Sequence, residues 1–265
     1  MDINTAFFVI FVVFSTIFGI VFGSFLNVVI FRIPAGKTVV KGHSVCMTCG
    51  HELSALDLVP IFSWLFLGGK CRYCKAPISS RYIKIESFTG LIFLVTSLTH
   101  GIYRLDPSYV NLGSIGLFIY YCMFLFSMCA LVGVMMIYHD TGRGYYGFSI
   151  AVISASLFAS AVNIEFTISW FVELVVAFLA SALIAAICKV CKKGYTWNDF
   201  WFDLPIAVVI FGFSSFVIDS YFLVPLYLLI GLLPRFLTKN TSKQKYSGII
   251  TVAGIVLFTA IGYFI

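Results

Sequence analysis

The chain of 265 residues is 61% hydrophobic and 18% aromatic, and only 11% of it is charged. Soluble domains carry about 25% charged residues because their surfaces must be wetted, so this composition excludes an ordinary soluble protein. The formal charge of +6 comes from 17 Lys/Arg against 11 Asp/Glu, and acids this scarce each need a reason beside a membrane-spanning segment.

A membrane-spanning helix needs about 17 to 25 apolar residues. Eight stretches approach that length: Thr5–Ile30, Ile85–Tyr103, Leu112–Tyr138, Tyr145–Val162, Phe166–Ile187, Phe202–Ile218, Phe222–Phe236 and Gly248–Ile265. The seventh is short and bounded by Pro225 and Pro234. The first reads as a retained helix and not as a cleavable signal peptide, because its apolar run is too long and no small-residue cleavage site follows it. The expected fold is therefore an all-α polytopic membrane protein of about eight transmembrane helices with one small loop domain. Residues 1–31 form the first helix, 32–84 the loop domain and 85–265 a seven-helix region.

Threading eight spans puts eight Lys/Arg in the loop Arg32–Lys84, and places Arg143, Lys189, Lys192, Lys193, Arg235, Lys239, Lys243 and Lys245 on the same side. Only Arg104 falls opposite. The positive-inside rule makes the crowded side cytoplasmic, with both termini facing outward. Topology and anionic lipid headgroups account for these cations, so lipid is an expected partner and nucleic acid is not.

Within the loop, "SVCMTCGHEL" and "KCRYCKAP" carry Cys46-x-x-Cys49 and Cys71-x-x-Cys74, separated by 21 residues. A reducing cytosol argues against structural disulfides, and a redox motif uses one such pair in a βαβ context that is missing here. Two pairs can complete a shell of four thiolates, the closed tetrahedral geometry of structural zinc. His51 is a possible substitute ligand, although four thiolates fill the shell. A loop of about fifty residues is too small to be held by its own core, and a metal supplies the missing stability. Cys188-x-x-Cys191 has no second pair and reads as free thiols at a helix end; Cys122 and Cys129 read as packing residues.

Two acids return to the cytoplasmic edge from distant sequence. Asp140 ends the third span in "MMIYHDTGRGYYGF", and Asp199 precedes the sixth in "KKGYTWNDFWFDLP". Two carboxylates at one membrane edge suit an aspartic-protease pair, one activating a water and the other, protonated, polarising the scissile carbonyl. They also suit solvated helix ends, with Asp199 as a cap. Asp203, one helical turn on, competes with Asp199. Asp106, Glu165 and Asp219 map to the opposite side, and Glu173 lies deep in the fifth span.

These residues together resemble the type IV prepilin peptidase/N-methyltransferase family. "GSFLNVVIFRIP" (Gly23–Pro34), the paired cysteines, "LVPIFSWLFLGGKCRYCKAPIS" (Leu58–Ser79) and "RYIKIESFTG" (Arg81–Gly90) carry the likeness in order and spacing. The catalytic half is looser. Asp140 matches the family's first aspartate, but Gly147 stands where the family has proline. The second aspartate sits in a Gly-x-Gly-x-Gly-Asp-Phe-Lys-like segment that here reads "GYTWNDFW". Gly194, Asp199 and Phe200 match, while Thr196, Asn198 and Trp201 replace Gly, Gly and Lys. Asn is the replacement best able to keep a left-handed backbone conformation.

The resemblance implies a bifunctional enzyme of the bacterial inner (cytoplasmic) membrane. It would cleave the leader of type IV prepilins or pseudopilins at the cytoplasmic face with Asp140 and Asp199, which it selects over Asp203. It would then methylate the new N-terminus with S-adenosylmethionine. The methyl transfer is associated with the N-terminal half, where structural zinc on Cys46, Cys49, Cys71 and Cys74 builds a platform and Glu86 resembles the acid of the family's "VE" pair. Gly23, Ser24 and Asn27 fit helix packing as well as a direct role. Two other readings stay open: an assembly scaffold with degraded aspartate motifs, and an ion-coupled transporter, whose sites ordinarily lie nearer the bilayer midplane.

Overall fold

The computed structural model describes residues 3–99 and 112–162, and beyond them Val175, Leu179, Ala182, Ala186, Asp199, Trp201, Leu204, Pro205, Ile206, Val208 and Val209. The seventh and eighth expected spans, most of the fifth and sixth, and Cys188, Cys191, Asp203 and Glu173 lie outside the described residues. The described chain is mostly helical: α1 (Ile3–Arg32), α2 (Phe62–Phe66), α3 (Arg81–Thr99), α4 (Leu112–Thr141) and α5 (Tyr146–Val162). It divides into two compact units, one of Ile10–Leu94 and one of Met1–Val9 with Val95–Ile265.

In the first unit α1 and α3 pack antiparallel, with a cysteine-bearing loop between them. Small residues set the distance between the helices. A Cβ added at Gly23 would stand 2.8 Å from the Glu86 Cα, and one at Gly19 or Gly90 would stand 2.5 Å from Phe93 or Ile20. Where lipid removes the hydrophobic drive between helices, such close backbone approach is what packing requires. Asn27 is buried in this seam, its Nδ2 donating to Gly23 O and Tyr82 O at 3.3 and 3.4 Å. The packing reading of Gly23 and Asn27 is thus what the geometry supports.

Arg32 closes α1 and organises the start of the loop. Its guanidinium donates to the carbonyls of Thr38, Lys41, Gly42 and His43 at 2.8–3.3 Å. A cation at a helix C-terminus is also favoured by the helix dipole.

In the second unit α4 and α5 form an adjacent pair joined by a short turn. Phe148 packs where a Cβ on Gly133 would meet it at 3.0 Å. Met128, Leu131, Val134, Ile137 and Val152 are fully buried, as are Val208 and Val209. The Ser97 hydroxyl meets Tyr121 OH at 2.7 Å, and Ser149 donates to Trp201 O at 3.0 Å. Among the described residues two helical stretches are long and apolar enough to cross a membrane, Thr5–Arg32 and Tyr121–Thr141. At about 1.5 Å per residue, helices of 30 residues such as α1 and α4 exceed the roughly 30 Å hydrocarbon layer. Their ends therefore have room to project into the headgroup region.

Candidate metal centre and acidic sites

The two C-x-x-C turns are near copies of one another, 25 positions apart. In the first, Gly50 N–H donates to Cys46 O at 2.8 Å and Cys46 N–H to His51 O at 2.9 Å. In the second, Lys75 N–H donates to Cys71 O at 3.0 Å and Cys71 N–H to Ala76 O at 2.8 Å. Each turn is flanked by an isolated antiparallel bridge, Val45 with Glu52 and Lys70 with Pro77. Both require a left-handed residue after the second cysteine, supplied by Gly50 at φ +70° and by Lys75 at φ +60°.

These turns bring the Sγ atoms of Cys46, Cys49, Cys71 and Cys74 within 4.8 Å of one another, so the four can hold a metal ion. Cys46 and Cys74 sulfurs are 3.8 Å apart, which matches the roughly 3.8 Å edge of a tetrahedron with metal–sulfur bonds of about 2.3 Å. The electrostatics also ask for a cation. Backbone N–H groups of Cys49 and Thr48 pull the Cys46 thiol down to about 6. Although the Ala76 N–H favours its thiolate, Cys74 is pushed up to about 11 by burial and by the neighbouring cysteine sulfurs. A cation bound among the sulfurs would favour the thiolate at Cys74 as well as at Cys46. His51 lies outside this set, its ring against Tyr73 with centroids 3.6 Å apart.

Three further contacts lock the loop. Asp57 accepts from Arg72 Nε at 2.6 Å, from Ser54 Oγ and N–H at 2.8 and 3.1 Å, and from Tyr73 OH at 3.2 Å. The Arg72 guanidinium, helped by Ser54 and Tyr73, holds this carboxyl down at about 2. Trp64 donates its indole N–H to Ile78 O at 3.2 Å. Ile61 sits at φ 63°, ψ −57°, and Phe62 N–H donates to Pro60 O at 2.6 Å. That is a γ-turn of the rare, strained sign, here on a β-branched residue. The Ile61 N–H is left to donate at 2.7 Å to Glu86 Oε2, and the Ser24 hydroxyl donates to the same carboxylate. Glu86 is buried, at 6% exposure.

Of the two edge acids, Asp140 lies in the last turn of α4, exposed, with its Oδ1 3.1 Å from His139 Nδ1. Asp199 accepts a hydrogen bond from Tyr138 OH. That contact sets Asp199 against the same last turn of α4 that carries Asp140, across 61 residues of chain. Sequence reasoning missed Tyr138, which sits beside Asp140 in an apolar run and gives no periodic signal. It also missed Asp57, although Ser54-x-x-Asp57 has the spacing of a capping box and was legible.

Residues 17–100 match the model of the bacterial peptidase A24 N-terminal domain. Over 102 residues the chain is 43% identical to the prepilin leader peptidase/N-methyltransferase of Myxococcus xanthus, covering 38% of this chain and 30% of that protein. It is 34% identical over 107 residues to the prepilin leader peptidase/N-methyltransferase of Aeromonas hydrophila, covering 31% of this chain and 37% of the relative. A type 4 prepilin-like proteins leader peptide-processing enzyme of Escherichia coli is 36% identical over 104 residues, 32% of this chain and 39% of the relative. The matched stretch thus spans about a third of the length of these curated relatives. No solved structure matches. The matched residues hold all four cysteines, the strained Ile61 turn and Glu86, while Asp140 and Asp199 lie beyond them. Residues 17–100 are thus similar to the bacterial A24 peptidase N-terminal domain and to the corresponding part of prepilin leader peptidases/N-methyltransferases.

Proposed function

We propose that the protein cleaves the leader of type IV prepilins or pseudopilins at the cytoplasmic face of the bacterial inner membrane and N-methylates the residue so exposed. The observation that carries this reading is a coincidence of boundaries. The family match over residues 17–100 falls on the unit Ile10–Leu94, and that unit contains the cysteine cluster and the buried Glu86. Eight spans, with the loop on the cytoplasmic side, complete the plan.

Cleavage is assigned to Asp140 and Asp199, a choice supported by the Tyr138 contact at the end of α4. One carboxylate takes a proton from water as its oxygen attacks the scissile carbonyl carbon. The other donates a proton to the carbonyl oxygen, and collapse of the tetrahedral species breaks the C–N bond and sends a proton to the leaving amine. Zinc on the four thiolates would hold the loop and perform no chemistry. S-adenosylmethionine supplies an electrophilic methyl group on a sulfonium; a buried carboxylate such as Glu86 is suited to face that charge or the incoming amine.

The test is product mass. Purified protein in detergent, given a prepilin-like peptide and the methyl donor, is expected to release the leader and add one methyl group. Asp140→Asn and Asp199→Asn should each abolish cleavage, and the double variant should be hardly worse than either, because two groups acting as one unit lose activity non-additively. Intact peptide after incubation with the unaltered protein would support the scaffold reading.

A further inference from the structure

The stretch "LVPIFSWLFLGG" (Leu58–Gly69) enters α2 through the Ile61 turn and leaves it at Gly68 and Gly69. Phe62, Leu65 and Phe66 follow the i, i+3, i+4 spacing that sets three side chains on one helix face. That face points outward, at 56%, 55% and 86% exposure, and the Phe62 and Phe66 rings are stacked at 6.4 Å. The opposite side is occupied by the loop itself. Trp64 bonds Ile78 O, and its ring packs where a Cβ on Gly69 would stand 2.8 Å away. The turn is therefore amphipathic with its apolar side turned out, which water disfavours and a membrane interface accepts.

We propose that this face lies in the headgroup–acyl boundary of the bilayer entered by α1 and α3, and anchors the cysteine-bearing loop to it. Three observations select lipid as the occupant. The Ile61 N–H to Glu86 bond fastens the entrance of α2 to the second turn of α3, where the sequence places the start of a span, so the turn is fixed at the depth of the boundary. The loop begins at the end of α1, which is long and apolar enough to cross, and ends at α3, where the sequence places the second span, so both of its ends are tied to the boundary. Its eight Lys/Arg outnumber Glu52 and Asp57, and Asp57 is already matched by Arg72, so the loop's charge complements anionic headgroups. This inference goes beyond the catalytic reading and does not depend on either activity.

The test uses the full chain in vesicles of phosphatidylethanolamine and phosphatidylglycerol, with Phe66→p-benzoyl-phenylalanine and, separately, Phe62→p-benzoyl-phenylalanine. Both positions are exposed, and the replacement keeps an aromatic ring at each, so the stacked pair is preserved. After irradiation, mass spectrometry should find lipid adducts at both positions, at least about tenfold above those at Met47→p-benzoyl-phenylalanine, because an inserted ring meets acyl C–H bonds and a solvated one does not. Met47 is exposed on the first cysteine turn. Adducts to polypeptide, whether a second copy or a distant part of this chain, would overturn the proposal in favour of a protein-docking face. Lipid labelling no greater than at Met47, or no adduct at either ring, would overturn it in favour of a water-facing turn.

Discussion

Lys75 stands where the partner turn has Gly50, and it holds a left-handed conformation that costs a side-chain-bearing residue about 1–2 kcal/mol. Lys75→Gly should relieve this strain, offset in part by the greater chain entropy of glycine. The net gain should be up to about 1 kcal/mol, read as slower loss of metal to a chelator. A variant that loses metal faster would mean the Lys75 side chain contributes more than its backbone strain removes. Glu86 separates structure from chemistry in a similar way. Glu86→Gln keeps an acceptor for the Ile61 N–H, whereas Glu86→Ala leaves that strained turn unpaired at a cost of about 1–3 kcal/mol. Gln should therefore retain metal and cleavage while losing methylation, and Ala should also loosen the loop. Methyl transfer by the Gln variant at the unaltered rate would assign Glu86 to structure alone. The sequence drew attention to Glu86 because acids are so scarce. It was silent on the backbone of Ile61, since propensity gives a β-branched residue no reason to adopt positive φ.

At the scale of elements, the cysteine loop was the most legible part of the chain. Paired C-x-x-C spacing encodes its own geometry, and the structure brings all four sulfurs together. Cys46→Ser or Cys74→Ser should lower metal content from about one ion per chain, whereas Cys188→Ser and Cys191→Ser should not. Equal loss from all of these would reject the ligand set. The Asp57 clamp adds a pH prediction. Its carboxyl is lowered to about 2 in the fold, so its contribution is complete above the ordinary value of roughly 4 and is lost as pH falls towards 2. Thiolate ligands take up protons at higher pH than that. Asp57→Asn should accordingly leave the acid midpoint of metal release unchanged but speed chelator-driven release at neutral pH severalfold, as loss of a charge-assisted hydrogen bond implies. A shifted acid midpoint would show that the clamp, and not the thiolates, limits metal retention. Ser54 and Asp57 meet through a local spacing, but the rest of the clamp went unread because Arg72 and Tyr73 reach Asp57 only once the cysteine turns have folded. The same applies to Tyr138 and Asp199, which no local pattern connects.

For the whole molecule, the apolar composition and scarcity of charge point to a membrane protein from the sequence alone. Two of the expected crossings, the first and third, coincide with helices long and apolar enough to span. The seam of α1 and α3 was legible only as small residues; which glycine faces which side chain depends on the crossing of two helices and not on either sequence alone. The central proposal is that one chain carries two separable activities, hydrolysis by the edge acids and methyl transfer by the cysteine-loop half. Proteolysis needs two acids and a water, whereas methyl transfer needs a neutral amine held in line with the methyl group, and so depends on positioning. The most direct measurement supplies a pre-cleaved pilin peptide and the methyl donor to the Asp140→Asn and Asp199→Asn proteins and follows methyl incorporation. Both should methylate it at close to the unaltered rate, while Cys46→Ser should lose methylation more severely than cleavage. Failure of the two aspartate variants to methylate a free N-terminus would contradict the account and point to one shared pocket.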